Sequence, residues 1–312
     1  MQNVVKCLYP KVWRIPEDYI SRSILKSEFY QEKHCKIHAL KVISGSSLLH
    51  FSPFDSALAL NLLLEKKPQE NSNINFKLHP LYKGAINRLI NSIINYRFEL
   101  LPYFFKKFSE LHEVNALRAL VTVIIHRDVI SRFNTNTLID LSYLTAHHIP
   151  RDCYIFDDFD RISENFILYN KFYKLLLASL FARGEILLNK VLIYKLLYSL
   201  AKVPFKLEQS KELSLYLKHK VIKELESDSW EAQHLVGIYW SLGTLGILDS
   251  ELLSSIYSSI GPIVDYIDTK HLQLALSISS KLDDKLSKKF TELIKDKLQT
   301  YSKLGVKWKQ RK

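Results

Sequence analysis

His34 and His38 stand four residues apart in His34-Cys35-Lys36-Ile37-His38, a spacing that puts both imidazoles on one face of a helix. Two imidazoles beside a thiol are metal-ligand chemistry, but zinc takes four ligands, usually as two short-spaced pairs. No second pair follows, because Cys7 and Cys153 are distant in the chain. Asp157, Asp158 and Asp160 are a carboxylate group of the kind that holds magnesium. They follow Pro150 at a break in the helical pattern, where acids more simply serve the positive end of the next helix. His147-His148 has no nucleophile motif beside it, and no G-x-S-x-G, P-loop or G-x-G-x-x-G occurs. The reading is a protein with no catalytic residue, no metal site, no cofactor and no small-molecule substrate.

What remains is charge and aromatic surface. There are 44 Lys+Arg against 32 Asp+Glu, a formal net charge of +12. Residues 1–80 hold 11 basic and 7 acidic residues, residues 81–150 hold 8 and 5, and residues 151–301 hold 20 of each. The excess therefore lies in the first half and in the last eleven residues, which carry five cations and no acid. Clustered cations suit phosphate neutralisation with counterion release. Arg88, Arg97, Lys106, Lys107, Arg118 and Arg127 are the expected RNA-phosphate contacts of the first half. Lys303, Lys307, Lys309, Arg311 and Lys312 are those of the tail, with Trp308 placed to stack on a base. Phe104, Phe108 and Leu111 fit a buried helical stripe, so Lys106 and Lys107 rather than the phenylalanines face solvent.

The elements that must carry these residues are helices. The chain has only 8 Gly and 9 Pro in 312 residues, too few for a nucleotide-binding α/β fold or a many-stranded sandwich. Short helices are expected at 17–29 and 54–65, the second capped by Asp55 or Ser56. From Leu81 onward apolar residues recur at helical spacing in segments of 12 to 20 residues, divided by short polar breaks. Those breaks fall near Leu111–Glu113, Arg127–Asp128, Arg183–Glu185, Val203–Lys206, Gly246–Asp249 and Leu282–Asp284, among others. Long helices joined by short turns pack as antiparallel neighbours. The expected fold is all-α: an irregular N-terminal extension over 1–80, an α-solenoid of antiparallel helix hairpins over 81–301, and a basic tail over 302–312. Self-comparison agrees, since Leu197–Val203 echoes Tyr239–Leu245 at an offset of 42 residues and Leu276–Ser280 echoes it 36 residues later.

No run reaches the length of apolar residues a membrane span requires, and Leu175–Leu200 is broken by Arg183, Glu185, Lys190 and Lys195. Three scattered cysteines are no disulfide framework, which favours a reducing or organellar interior. Lys6, Lys11 and Arg14 precede the first acid, Glu17, as in a mitochondrial presequence, although Pro10 and Pro16 interrupt an amphipathic helix.

Trp240-Ser-Leu-Gly-Thr-Leu-Gly-Ile-Leu-Asp249, followed by Glu251-Leu-Leu253, resembles the heptatricopeptide or octotricopeptide helical repeats of organellar RNA-binding proteins, including those that bear a RAP domain. The likeness covers Ser229 to Val264. In that pattern Trp240 is expected to fill the space between helices, Gly243 to let the second helix approach, and Asp249 or Ser250 to cap it. The segment Leu298–Lys312 is too short for the α/β RAP module, so a nuclease-like role is not expected. The resemblance implies an organellar ribonucleoprotein component, and the expectation is a non-enzymatic mitochondrial ribosomal subunit in the matrix. Its partners would be RNA, foremost rRNA, and neighbouring ribosomal or ribonucleoprotein proteins. Two alternatives are a helical protein–protein scaffold without RNA and a free organellar RNA-processing or stability factor.

Overall fold

The computed structural model describes residues 40, 43–44, 51–64, 76–150, 153, 163–183, 188–204, 210–225, 230–282 and 285–303. Among these residues all regular structure is helical: twelve α-helices with short 3₁₀ turns and no strand. The expected helix at 17–29, the pair His34 and His38, the acids Asp157–Asp160 and the tail residues Lys307–Lys312 lie outside the described residues. The chain divides into two compact units, Met1–Thr137 with His148–Phe172, and Leu138–His147 with Tyr173–Lys312.

The first unit holds α1 (Pro53–Leu64), α2 (Pro80–Ile93), α3 (Leu101–Glu110) and α4 (Val114–His126). Helical residues Leu40, Ile43 and Ser44 precede α1, with Leu40 and Ile43 wholly buried. The cap of α1 differs from both sequence candidates. Ser52 Oγ accepts from the Asp55 amide at 3.2 Å, while the Asp55 carboxylate accepts from the Ser52 amide at 3.4 Å and from its hydroxyl at 2.7 Å. This is a reciprocal capping box, with Pro53 at the first helical position where a missing N–H costs nothing. Helix α1 packs on α2 and α3, α2 on α4, and α3 on α4. The pairs α1–α2 and α3–α4 are hairpins, and the α1–α3 and α2–α4 contacts stack one hairpin on the other. Leu60, Leu89, Phe104, Phe105, Phe108 and Leu120 are wholly buried between them.

Helices α3 and α4 end alike. His112 and Asp128 take left-handed backbone at φ 55° and 49°. The next amides, Glu113 and Val129, donate back to the carbonyls of Phe108 and Ile124 at 3.0 and 3.4 Å. That closes orphan carbonyls at the helix end.

The unit boundary falls within α5 (Thr135–His147) and within α6 (Glu164–Phe181). In the second unit follow α7 (Lys190–Lys202), α8 (Ser210–Leu225), α9 (Ala232–Thr244), α10 (Ser250–Ile260), α11 (Thr269–Ser279) and α12 (Lys285–Lys303). The pairs α7–α8, α9–α10 and α11–α12 pack as hairpins; α7 meets α9, α9 meets α11, α8 meets α10 and α10 meets α12. The 42-residue echo has a structural counterpart. Buried Ser199 on α7 and buried Ser241 on α9 each return their hydroxyl to the carbonyl four residues back, Lys195 at 2.6 Å and Gly237 at 2.7 Å. A small side chain that satisfies itself this way lets neighbouring helices close in without an unpaired polar atom. On α11 the buried serine is Ser279, whereas Ser277, the residue the echo picks out, is exposed.

Gly243 does allow a close approach, but to a different helix than expected. A Cβ there would lie 2.4 Å from Ile278 Cγ2 on α11, the first helix of the following hairpin. Asp249 caps α10 as expected, accepting from the Leu252 amide at 3.0 Å. Its carboxyl sits below the usual range because the Lys218 ammonium bonds it and the Leu252 amide adds a second hydrogen bond. Tyr239, Tyr257 and Phe290 join α9, α10 and α12 in one aromatic core, with Tyr257 stacked on Phe290 at 4.4 Å.

Candidate nucleic-acid interface

Helix α2 ends at Ile93, and the chain turns through Asn95 to Arg97 before a 3₁₀ turn, Phe98–Leu100, leads into α3. Arg127 caps the end of α4, and a 3₁₀ turn, Ile130–Arg132, follows it. Those two corners meet. Arg127 Nη1 donates to the Tyr96 carbonyl at 2.6 Å, and the Arg132 guanidinium lies 5.6 Å from the centre of the Phe98 ring. Phe98 in turn sits 6.0 Å from Phe133. Arg97, Arg127 and Arg132 are all exposed; Arg97 belongs to the Tyr96–Phe98 turn itself, and Arg127 and Arg132 reach that turn from the end of α4. Glu99 and Asp128 are the exposed acids of the same corner. A cation at the end of α4 also complements the helix dipole. Guanidinium forks on an aromatic-backed corner can grip phosphate oxygens in pairs, which a lysine ammonium does less well.

The other expected contacts separate. Arg88 is half-buried and donates to the carbonyls of Ile43 and Ser44, each at 2.9 Å, so it ties the segment before α1 to α2. Lys106 is exposed on α3, while Lys107 is half-buried, 3.4 Å from Glu110 and 5.7 Å from the centre of the Tyr103 ring. Arg118 reaches Glu164 at 3.0 Å. Lys303 ends α12, and Lys307, Trp308, Lys309, Arg311 and Lys312 lie outside the described residues. Among the described residues of the expected set, Arg97 and Arg127 share a corner. Arg132, which sequence reasoning did not single out, completes it; the signal was its place five residues after Arg127, beyond a helix stop.

A second polar cluster occupies the opposite end of α3 and α4. His148 Nε2 and Ser109 Oγ are 2.8 Å apart, and the His112 ring stands 5.5 Å from that of His148. Burial, with the neighbouring His112, pulls the His148 pKa below its ordinary value. Ser109 was not legible as a neighbour of His148 from 39 residues away in sequence. Nearby, Tyr82 donates to Glu113 at 2.6 Å, and Lys77 lies 3.3 Å from the same carboxylate. Burial and Glu113 push the Tyr82 hydroxyl well above its usual pKa.

Trp240, expected to be buried in its hairpin, is half-buried instead, with its ring 5.4 Å from that of Tyr198. Among the described residues no group of three or more His, Cys, Asp or Glu could hold a metal ion, and no helix is long and apolar enough to cross a membrane. No protein-family model matches the chain, and no curated protein or solved structure matches it.

Proposed function

We propose that the chain is a non-enzymatic, RNA-binding structural component of a mitochondrial ribonucleoprotein, foremost a mitochondrial ribosomal subunit, in which helix hairpins build an α-solenoid. The observation that carries the reading is the gathering of Arg97, Arg127 and Arg132 at the Tyr96–Phe98 turn. The net charge of +12 supplies the long-range attraction to a polyanion. Phosphate contacts position an RNA without reading its bases, which suits a structural subunit. The resemblance around Trp240 supports the organellar setting.

The test is charge reversal. The variant Arg97→Glu, Arg127→Glu, Arg132→Glu should bind a labelled RNA more weakly than the unaltered chain, with a salt dependence flatter by roughly 0.7–0.9 per lost contact in the log–log slope. Equal affinity and slope in the two proteins would overturn the assignment. Purification of the tagged chain should bring down rRNA and ribosomal proteins in a large particle; a particle without RNA would favour the scaffold reading instead.

A further inference from the structure

Helix α7 carries Lys190, Tyr194, Tyr198 and Lys202 at successive four-residue intervals, which sets all four on one face about 18 Å long. On α5, Tyr143 and His147 repeat the interval. On α9, His234 and Trp240 stand on either side of Gly237. These rings touch in a continuous row across the three helices. Tyr143 lies 5.8 Å from Tyr194 and 5.4 Å from Tyr198, and His147 stacks on Tyr198 at 4.8 Å and 21°. Tyr194 lies 4.8 Å from His234, and Tyr198 lies 5.4 Å from Trp240.

The row is not core. His147 is exposed and the other five rings are half-buried, while the buried stripe of α7 runs through Leu192, Ile193, Leu196, Leu197 and Leu200. The six rings, grouped outside the core, are tilted between 21° and 78° to one another and present ring faces and polar edges rather than an aliphatic surface. Lys190 and Lys202 stand at the two ends of α7, and Lys195 lies within the row, 5.9 Å from the centre of the Tyr143 ring and 2.5 Å from Asp140. Glu231 is the other acid at this face, 3.5 Å from His234. Stacked rings between cations are the composition of a single-strand platform, where bases lie on π faces and lysines meet phosphates.

We infer that the row His147–Tyr198–Trp240, bordered by Tyr143, Tyr194 and His234, is a base-stacking platform for single-stranded RNA, a site that rests on the RNA-binding reading above and shares no residue with its arginine corner. The platform contacts unpaired bases, so its contribution disappears when the strand has none.

The experiment compares labelled oligouridylate and oligoadenylate with an abasic strand of equal length, using the full chain. The unaltered protein should bind the base-bearing strands more tightly. His147→Ala, at an exposed position, and Trp240→Leu should each weaken binding to them by at least about fivefold, the lower range for one lost base–ring stack, and leave the abasic strand unchanged. RNA should also quench tryptophan emission less in Trp240→Phe, where the stacking ring remains but the reporter is gone. Should Trp240→Leu not fold, His147→Ala decides alone. Equal affinity for abasic and base-bearing strands overturns the platform and leaves the arginine corner standing. The same holds if His147→Ala binds like the unaltered chain, or if it changes only self-association. A chain that binds no RNA overturns the platform and the proposed function together.

Discussion

The ring of Tyr194 lies against the backbone of Gly237: a Cβ at that glycine would stand 2.3 Å from Tyr194 Cε2. The contact sets how closely α7 and α9 approach. Gly237→Ala must therefore displace an aromatic ring, and overpacking of this kind costs about 1–3 kcal/mol. Gly84, on the exposed side of α2, has nothing within 4 Å of its Cβ position. Gly84→Ala should instead stabilise by about 0.4–1 kcal/mol, because the unfolded chain loses freedom. Urea unfolding of both variants checks the pair; similar shifts of one sign would show that Tyr194 does not hold the spacing.

Gly246 gives a case in which space is not the issue. It ends α9 with φ +69° and nothing within 4 Å of its Cβ position. Gly246→Ala should still cost about 1–2 kcal/mol, the strain of left-handed backbone for a side chain. Asp128 occupies the same kind of position at φ 49°, so Asp128→Gly should be neutral to stabilising. Thermal melts that showed Gly246→Ala unchanged would remove the strain argument.

The Ser52–Asp55 box should be worth about 1 kcal/mol per partner, the usual range for a lost cap. Because the two side chains bond each other, the double variant Ser52→Ala, Asp55→Ala should cost less than the two single costs added together. Strict additivity in denaturant unfolding would mean that the reciprocal bonds do not form in solution.

His148 makes stability fall on mild acidification. Its folded pKa is lowered from 6.5 by burial and by His112. Above about 6.5 both states are neutral there; below it the unfolded chain takes up a proton that the folded chain resists. Stability conferred by the neutral ring is thus full above that pH and is lost as the pH drops toward the folded value. His148→Gln should flatten the melting-temperature profile between pH 7.5 and 5.5. A profile as steep as that of the unaltered chain would place the sensitivity elsewhere.

Helix periodicity was readable along the chain because burial here runs in clean stripes. Phe104, Phe108 and Leu111 are buried as their spacing implied, and the breaks at Leu111–Glu113 and Arg127–Asp128 are real helix ends. What periodicity cannot carry is which helix a residue meets. Gly243 looked like a contact within its own hairpin, yet its neighbour is Ile278 on the next one. Trp240 follows a run of buried residues, Leu235 to Tyr239, but sits at the margin of their face and is half-exposed. Asp55 was a plausible cap from composition alone; only the reciprocal geometry shows Ser52 in that role. Arg132 was missed for the same reason, since its meeting with Phe98 depends on how two corners fold together.

The hairpins of the second unit touch mainly their neighbours: α9 is held by α7 on one side and α11 on the other, while α12 packs on α11 and α10 at the end of the series. Stability in such a stack is a sum of nearest-neighbour terms. Opening α9 breaks its interfaces with α7, α10 and α11, whereas fraying α12 breaks its contacts with α10 and α11 and the Phe290 contacts with Tyr239 and Tyr257. Amide hydrogen exchange should therefore be graded along the series, slowest in α9 and fastest in α12. Fraying of α12 would leave the α7–α9 interface, and the row of rings it carries, in register.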